Sequence, residues 1–289
     1  MKTYLILICF LLAAGLGASV PAPAGIETAF LALDNGGNQL ARVERGEIVW
    51  QVPIPAGGRD LQRIGPERVL VSHAQGFQVR NLGDGSLVAE APEVSRFKNV
   101  QSARQWSGGF IVGEGAGPAI LVHWLSAEGE VCESKRFEGY KQLRLLRLTK
   151  AGHLLFTAAD PYRVVELRSD GREVQSWPLR GKGYVAVPIG GGRIAATNGE
   201  SCEVEIFDPG GERQQVIGGR ESFPGLDWFS GMHAAEDGSF WVANWMGHLP
   251  AERRRGPHVL VYGANGEIEA ACFSESLQQV TNLLPLAEK

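Results

Sequence analysis

None of the short patterns that announce a chemistry occurs in this chain. It has no Gly-x-Ser-x-Gly elbow, no His-Glu-x-x-His pair, no Walker-type phosphate loop and no Cys-x-x-Cys. Those absences exclude the local architectures of the serine-hydrolase elbow, the zincin helix, the P-loop and the thiol redox pair. Any catalysis would have to be assembled from side chains far apart in sequence. A basic field is missing too, since 28 Lys and Arg stand against 32 Asp and Glu for a net charge of −4. No nucleic-acid partner is therefore expected, and the run Arg253-Arg254-Arg255 is too short to change that.

Cysteine is scarce, and its distribution argues against a disulfide framework. Of the four residues, Cys9 lies in an N-terminal apolar run, which leaves Cys132, Cys202 and Cys272 in three different repeats. Residues three repeats apart around a ring are far beyond the ~7 Å Cα separation a disulfide allows, so free thiols are expected. Long apolar runs are equally rare. The one at Tyr4 to about Leu16 follows Lys2 and leads into Gly17-Ala18-Ser19, the layout of a secretory signal peptide and short for a transmembrane span. We expect a signal peptide over 1–18, a short linker over 19–27, and one domain over 28–289. The mature protein is then secreted or periplasmic, monomeric, and not stably inserted in a membrane.

What the chain does contain is strand after strand. Gln142–Leu148, His153–Ala158, Arg163–Arg168 and Glu173–Trp177 are apolar, alternating or β-branched runs separated by Lys150-Ala151-Gly152, Asp160-Pro161-Tyr162 and Ser169-Asp170-Gly171. Such runs are strands joined by tight turns. One four-stranded meander cannot cover both its faces, so it needs neighbours like itself. Inner-strand candidates begin around Leu61, Val100, Leu143, Val185, Gly231 and Leu277, at spacings of 39, 43, 42, 46 and 46 residues. A period near 40 with four strands per unit is the signature of a propeller.

Five units are complete and the sixth is split. Ala29–Leu33, Gln39–Glu44 and Glu47–Val52 read as strands two to four of a blade, and Leu277–Leu286 as its missing first strand. The predicted fold is all-β: a six-bladed β-propeller of four-stranded antiparallel blades, closed by the C-terminal strand joining the N-terminal blade.

The turn Asp34-Asn35-Gly36-Gly37-Asn38, the strand ending Val49-Trp50 and the segment Phe207-Asp208-Pro209-Gly210-Gly211-Glu212 resemble repeats of secreted bacterial propellers of the NHL and quinoprotein-like (PQQ-like) superfamilies. The resemblance covers nearly the whole mature chain at the level of repeats. Only Trp50 and Trp177 stand where quinoprotein-type repeats place an outer-strand Trp. The resemblance thus implies the architecture and not a PQQ cofactor.

Blade geometry brings the end of each second strand and the segment leading into each first strand to one mouth of the channel. Aligned on their apolar cores, the second strands are followed by Asp34, His73, Glu114, Ala158, Asn198 and Asn244, with Asp160 a substitute for Ala158. Such groups facing one cavity suit a hard divalent cation (Ca²⁺ or Mg²⁺) or a polyol. The alternative is that Asp and Asn start turns there. Segments leading into first strands add Arg59; Arg96, Phe97 and Lys98; Tyr140 and Lys141; Arg180, Lys182 and Tyr184; and Asp227, Trp228 and Phe229. Cations beside aromatics suit an anionic or sugar-like ligand, or else neutralise the acidic ring. Trp245 and His248, in the long connection of the last blade, complete the candidates.

Two functions follow. One is a binding module without demonstrable catalysis, taking a carbohydrate, small molecule or protein at the mouth. The other is a metal-assisted hydrolase or lactonase acting on sugar-derived substrates. Six-bladed sugar-lactonase propellers hold one divalent ion with Glu, Asn and Asp side chains, and the likeness in residue types implies Asp34, Glu114, Asn198 and Asn244 as that set. On this reading the carboxylates of Asp34 and Glu114 either bind a cation or are matched by Arg and Lys nearby.

Overall fold

The predicted strand runs pair as blades in a computed structural model that describes residues 23–91 and 97–286. The predicted signal peptide, linker residues 19–22 and Arg96 lie outside the described residues. Six antiparallel sheets follow one another along the chain. Blade 2 is Leu61–Arg63, Arg68–His73, Gly76–Asn81 and Leu87–Glu90. Blade 3 is Val100–Trp106, Gly109–Ala116, Ala119–Leu125 and Val131–Glu138. Blade 4 is Leu146–Leu148, Leu154–Ala158, Arg163–Leu167 and Glu173–Pro178. Blade 5 is Gly183–Ile189, Arg193–Asn198, Glu203–Phe207 and Arg213–Gly218. Blade 6 is Phe229–Ala234, Phe240–Asn244, Val259–Tyr262 and Ile268–Cys272.

Blade 1 is the split one. Val280–Pro285 supplies its first strand and pairs with Phe30–Asp34, in register from Phe30 opposite Pro285 to Asp34 opposite Val280. Gln39–Glu44 and Glu47–Pro53 complete it. The predicted six-bladed closure is therefore the observed one, with the closing strand starting three residues later than Leu277.

There is no single core. Six apolar clusters lie between neighbouring blades, one per boundary. Between blades 5 and 6, for instance, Val204, Ile206 and Ile217 meet Phe229, Val242, Leu260 and Tyr262. Each inward-facing side chain is removed from water by a neighbouring sheet, at ~1.5–3 kcal/mol for each large apolar group. The outer-strand tryptophans add to this. The Trp50 ring lies on Gly85 in a turn of blade 2, where a Cβ would come within 2.8 Å of it. Trp177 Nε1 donates to Asp208 O in the equivalent turn of blade 5, at 3.3 Å.

Two local departures have local causes. The first strand of blade 4 begins at Leu146 rather than Gln142, and Gln142 has φ 58°, a left-handed conformation that interrupts an extended run. Within the predicted linker, Ala24–Gly25 adds a fifth strand to blade 6, parallel to Ile268–Cys272. The outer edge of a blade offers unpaired backbone groups, and the buried side chain of Ile26 pins the added segment there. Cys132, Cys202 and Cys272 are free thiols, as expected.

Closure generates a direct test. Truncation after Ser276 removes the strand that pairs with Phe30–Asp34 and uncovers apolar faces on both sides of blade 1. That loss exceeds the ~5–15 kcal/mol that holds a domain folded. The truncated protein should show no cooperative thermal transition by circular dichroism, and a sharp transition near the full-length temperature would refute the closure.

Candidate functional site

Asp34, His73, Asn198 and Asn244 are the last residues of their second strands, with Glu114 at the same level in blade 3. All five are buried. Their partners are largely backbone amides. Asp34 Oδ2 accepts from Gln278 N at 3.0 Å and Oδ1 from Gln279 N at 2.7 Å. Glu114 Oε2 accepts from Lys98 N at 2.8 Å and Asn99 N at 3.2 Å. Asn244 Oδ1 accepts from Asp227 N at 2.9 Å and Trp228 N at 3.3 Å. In three blades, then, the side chain ending the second strand clamps two successive amides of the segment leading into the same blade's first strand. Blade 5 makes the connection in two steps: Asn198 Nδ2 donates to Glu205 Oε1 at 3.0 Å, and that oxygen accepts from Arg180 N at 3.1 Å.

The expectation that the carboxylates meet a cation or nearby Arg and Lys is corrected by this geometry. Asp34 is neutralised by N–H donors, Gly36 N and Gln39 Nε2 included, at 3.1 and 3.0 Å. Glu114 adds a 2.8 Å contact from Oε1 to His123 Nε2. Burial pushes the Glu114 carboxyl up, but the His123 hydrogen bond and the two backbone donors outweigh it, and the net direction is down. Blade 4 takes no part: Asp160 is exposed and pairs with Lys141 Nζ at 2.5 Å. Among the described residues no three His, Cys, Asp or Glu side chains converge as a ligand group. Asp34, Glu114 and Asn244 already spend their oxygens on backbone amides of separate blades, and only Asn198 Oδ1 is left without a partner, so the four do not fit a shared divalent ion.

The sequence reading missed what fills the channel. The fully buried Asp60, just before the first strand of blade 2, joins four blades. Its Oδ1 accepts from Leu61 N at 2.9 Å, Asn282 Nδ2 at 3.2 Å and Arg104 Nη1 at 3.4 Å. Its Oδ2 accepts from Arg147 Nη1 at 3.0 Å and from the Ser102 hydroxyl. Burial and the neighbouring Arg147 guanidinium depress the pKa of Arg104, while Asp60 holds it up. Arg59 and Arg144 lie near one another and Tyr184 in the same channel but pair with no described carboxylate.

The mouth over blades 5 and 6 is aromatic. His248, half exposed, lies edge-on between Trp228 and Trp245, with ring centroids 5.1 and 4.9 Å away. Lys182 Nζ sits 5.6 Å from the centre of the Trp228 ring. The group is braced from beneath. His248 N donates to Asp227 Oδ2 at 2.9 Å, Trp245 N to Trp228 O at 2.8 Å, and Asn244 Nδ2 to Pro257 O at 2.8 Å. Gly199 lies against the Trp228 indole and Gly247 against that of Trp245; a Cβ on either would stand 2.0 Å from the ring. Trp228, Trp245, His248 and Lys182 are thus brought together, whereas Lys98 contributes its backbone and Lys141 stays at the exposed rim of blade 4. A separate cleft of about 850 Å³ opens on the opposite face between blades 4, 5 and 6, lined by turns containing Lys150, Gly191 and Glu236 and by none of the predicted site residues.

The clamp makes Asp34 a stability residue. Asp34→Ala strands the amides of Gln278 and Gln279 beneath the closing strand and should lower the urea-unfolding free energy by ~3 kcal/mol. Neither Ca²⁺ nor a chelator should alter the wild-type melt, and a shift with either would restore a metal role. A second expectation concerns pH. Burial lowers the pKa of His73, opposed by Glu90 and assisted by Arg80, and lowers that of His258 against opposition from the Leu277 backbone and Asp34. Both rings hold a proton less readily in the fold than in the unfolded chain, which takes up protons below pH ~6.5. Stability should therefore fall as the pH drops from 7 to 5. The slope of melting temperature against pH should be shallower in a His73→Gln, His258→Gln variant; an unchanged slope would refute this.

No protein-family profile and no curated protein matches the sequence. Among solved structures the chain is similar to a protein of unknown function from Bacteroides caccae, with a TM-score of 0.76 and 18% identity over 91% of this chain and 100% of that one. A chain of a nidogen/laminin complex gives a TM-score of 0.64 at 12% identity, over 89% of this chain and 97% of that one. A streptogramin B lyase gives 0.58 at 12% identity, over 89% and 86%. At these identities the likeness is one of fold alone.

Proposed function

We propose that the protein is an exported binding module that takes a sugar-like ligand at the mouth over blades 5 and 6. The observation that carries this reading is the braced group of Trp228, Trp245, His248 and Lys182. Trp228 is buried and supports the group, the partly exposed Trp245 indole offers apolar area at low entropic cost, and the His248 imidazole and Lys182 ammonium supply hydrogen bonds to hydroxyl groups. Preorganisation supports the same conclusion, because Asp227 and Asn244 hold the loops through backbone bonds before any ligand arrives. The N-terminal apolar run and small residues over 1–18 support export. The metal-assisted lactonase reading is not favoured, since Asp34, Glu114 and Asn244, three of its four ligands, already spend their oxygens on backbone amides.

Tryptophan fluorescence titration with a panel of soluble neutral oligosaccharides tests the proposal. A saturable change is expected with at least one member, weakened about tenfold or more in Trp245→Ala, a difference of ~1.4 kcal/mol, at an unchanged melting temperature. No saturable change across the panel, or equal binding by Trp245→Ala, would overturn it.

A further inference from the structure

We propose that the channel is also an anion site, holding a carboxylate or phosphate group between Arg59, Arg144 and Tyr184. This rests on different residues from the sugar-like site and stands independently of it. Arg59 precedes the first strand of blade 2, Arg144 precedes that of blade 4, and Tyr184 lies in that of blade 5. Blades 2 and 5 face each other across a six-membered ring. The electrostatic contacts of Tyr184 with Arg59 and Arg144 therefore span the channel.

Three buried polar atoms there lack a well-formed hydrogen bond, namely Arg59 Nε, Arg144 Nε and the Tyr184 hydroxyl, the last with the Arg59 guanidinium as its neighbour. The Tyr184 side chain is almost wholly enclosed, with 6% of its surface exposed, while both arginines retain partial exposure. Neither guanidinium forms an ion pair with a described carboxylate. Asp60 is the acid in this channel, and its oxygens are filled by Arg104, Arg147, Ser102, Asn282 and the Leu61 amide. Two like charges thus share the channel with no carboxylate of their own among the described residues, an arrangement that costs stability unless an anion joins it.

The chemistry of the three groups specifies that anion. A guanidinium presents a planar fork matched to two oxygens of a carboxylate or phosphate. Tyr184 supplies a third donor rather than a negative charge: burial pushes its pKa up, the two guanidiniums pull it down, and the net direction is up. Burial lowers the pKa of Arg144, opposed by Tyr184 and assisted by Arg59. A neutral sugar would leave that charge unanswered.

The test compares melting temperature and calorimetric binding of the full mature chain in sodium phosphate, sodium malonate and sodium chloride at matched ionic strength. Phosphate or malonate should raise the melt saturably above chloride, and whichever acts identifies a tetrahedral or a planar oxyanion. Arg144→Gln should weaken that binding about tenfold or more and melt in chloride at or above the wild-type temperature, because it relieves the repulsion. A purely structural arginine would instead lower the chloride melt. Tyr184→Phe, which keeps the ring, should also weaken binding and guards against misfolding of the first variant. Trp245→Ala should keep the anion response whether or not the sugar-like ligand proves real. Indifference of the wild type to both oxyanions, or an equal response in Arg144→Gln and Tyr184→Phe, would overturn the proposal.

Discussion

Every blade of this protein has two apolar faces and four strands, and that mismatch governs the rest of the structure. A sheet this small cannot cover itself, so each face must be taken by a neighbour, and the sequence of neighbours must return to its start. The six separate clusters are the expression of that rule: stability lies in boundaries between blades rather than in a centre. Closure falls to the pairing of Val280–Pro285 with Phe30–Asp34, which joins the two ends of the described chain. Asp34 secures the junction by holding the amides of Gln278 and Gln279, the last residues before the strand region begins.

The same device recurs where closure is not at stake. Glu114 and Asn244 hold the corresponding amide pairs in blades 3 and 6, so the clamp belongs to the repeat and not to the seam. Its consequence reaches the surface. A segment whose first residues are fixed to the end of the adjacent strand cannot drift, and the side chains it carries keep their positions over the channel. In blade 6 the clamped residues are Asp227 and Trp228 themselves, and Asp227 in turn fixes the backbone of His248. A stability motif thereby becomes the foundation of the aromatic mouth.

Strands and closure were legible in the sequence because period-two alternation, tight turns and a repeat near 40 residues are local signals. The positions of the polar ring were legible for the same reason; their roles were not. The letters offer Asp34, Glu114 and Asn244 as metal ligands, or Asp34 and Asn244 as turn formers. Asp34 does hold its own turn through Gly36 N, but the main partners of all three are backbone amides, which every residue type but proline carries and which leave no trace in a sequence. The first strand of blade 4 was overextended because nothing in the letters announces that Gln142 turns left-handed. Ala24–Gly25 was read as linker because edge addition uses the backbone and asks little of the side chains. Asp60, Arg104 and Arg147 were missed because they meet only after the ring closes.

That last omission reverses the electrostatic picture. The mouth was expected to be acidic, yet its acids are each neutralised within a blade, and the channel beneath carries four arginines against the single carboxylate of Asp60. Fold stability alone does not explain such an excess. Apolar residues of similar volume can replace buried ions at no loss, or with gain, and the inter-blade clusters show that this chain readily supplies them. Arg104 and Arg147 at least join blades 3 and 4 to blade 2 through Asp60. Arg59 and Arg144 meet Tyr184 but pair with no described carboxylate, so their charge is unanswered in the isolated fold. Local rules of this kind are broken where a site needs them broken. On that argument the arginine pair, rather than the acidic ring, is the part of the channel built for something outside the protein.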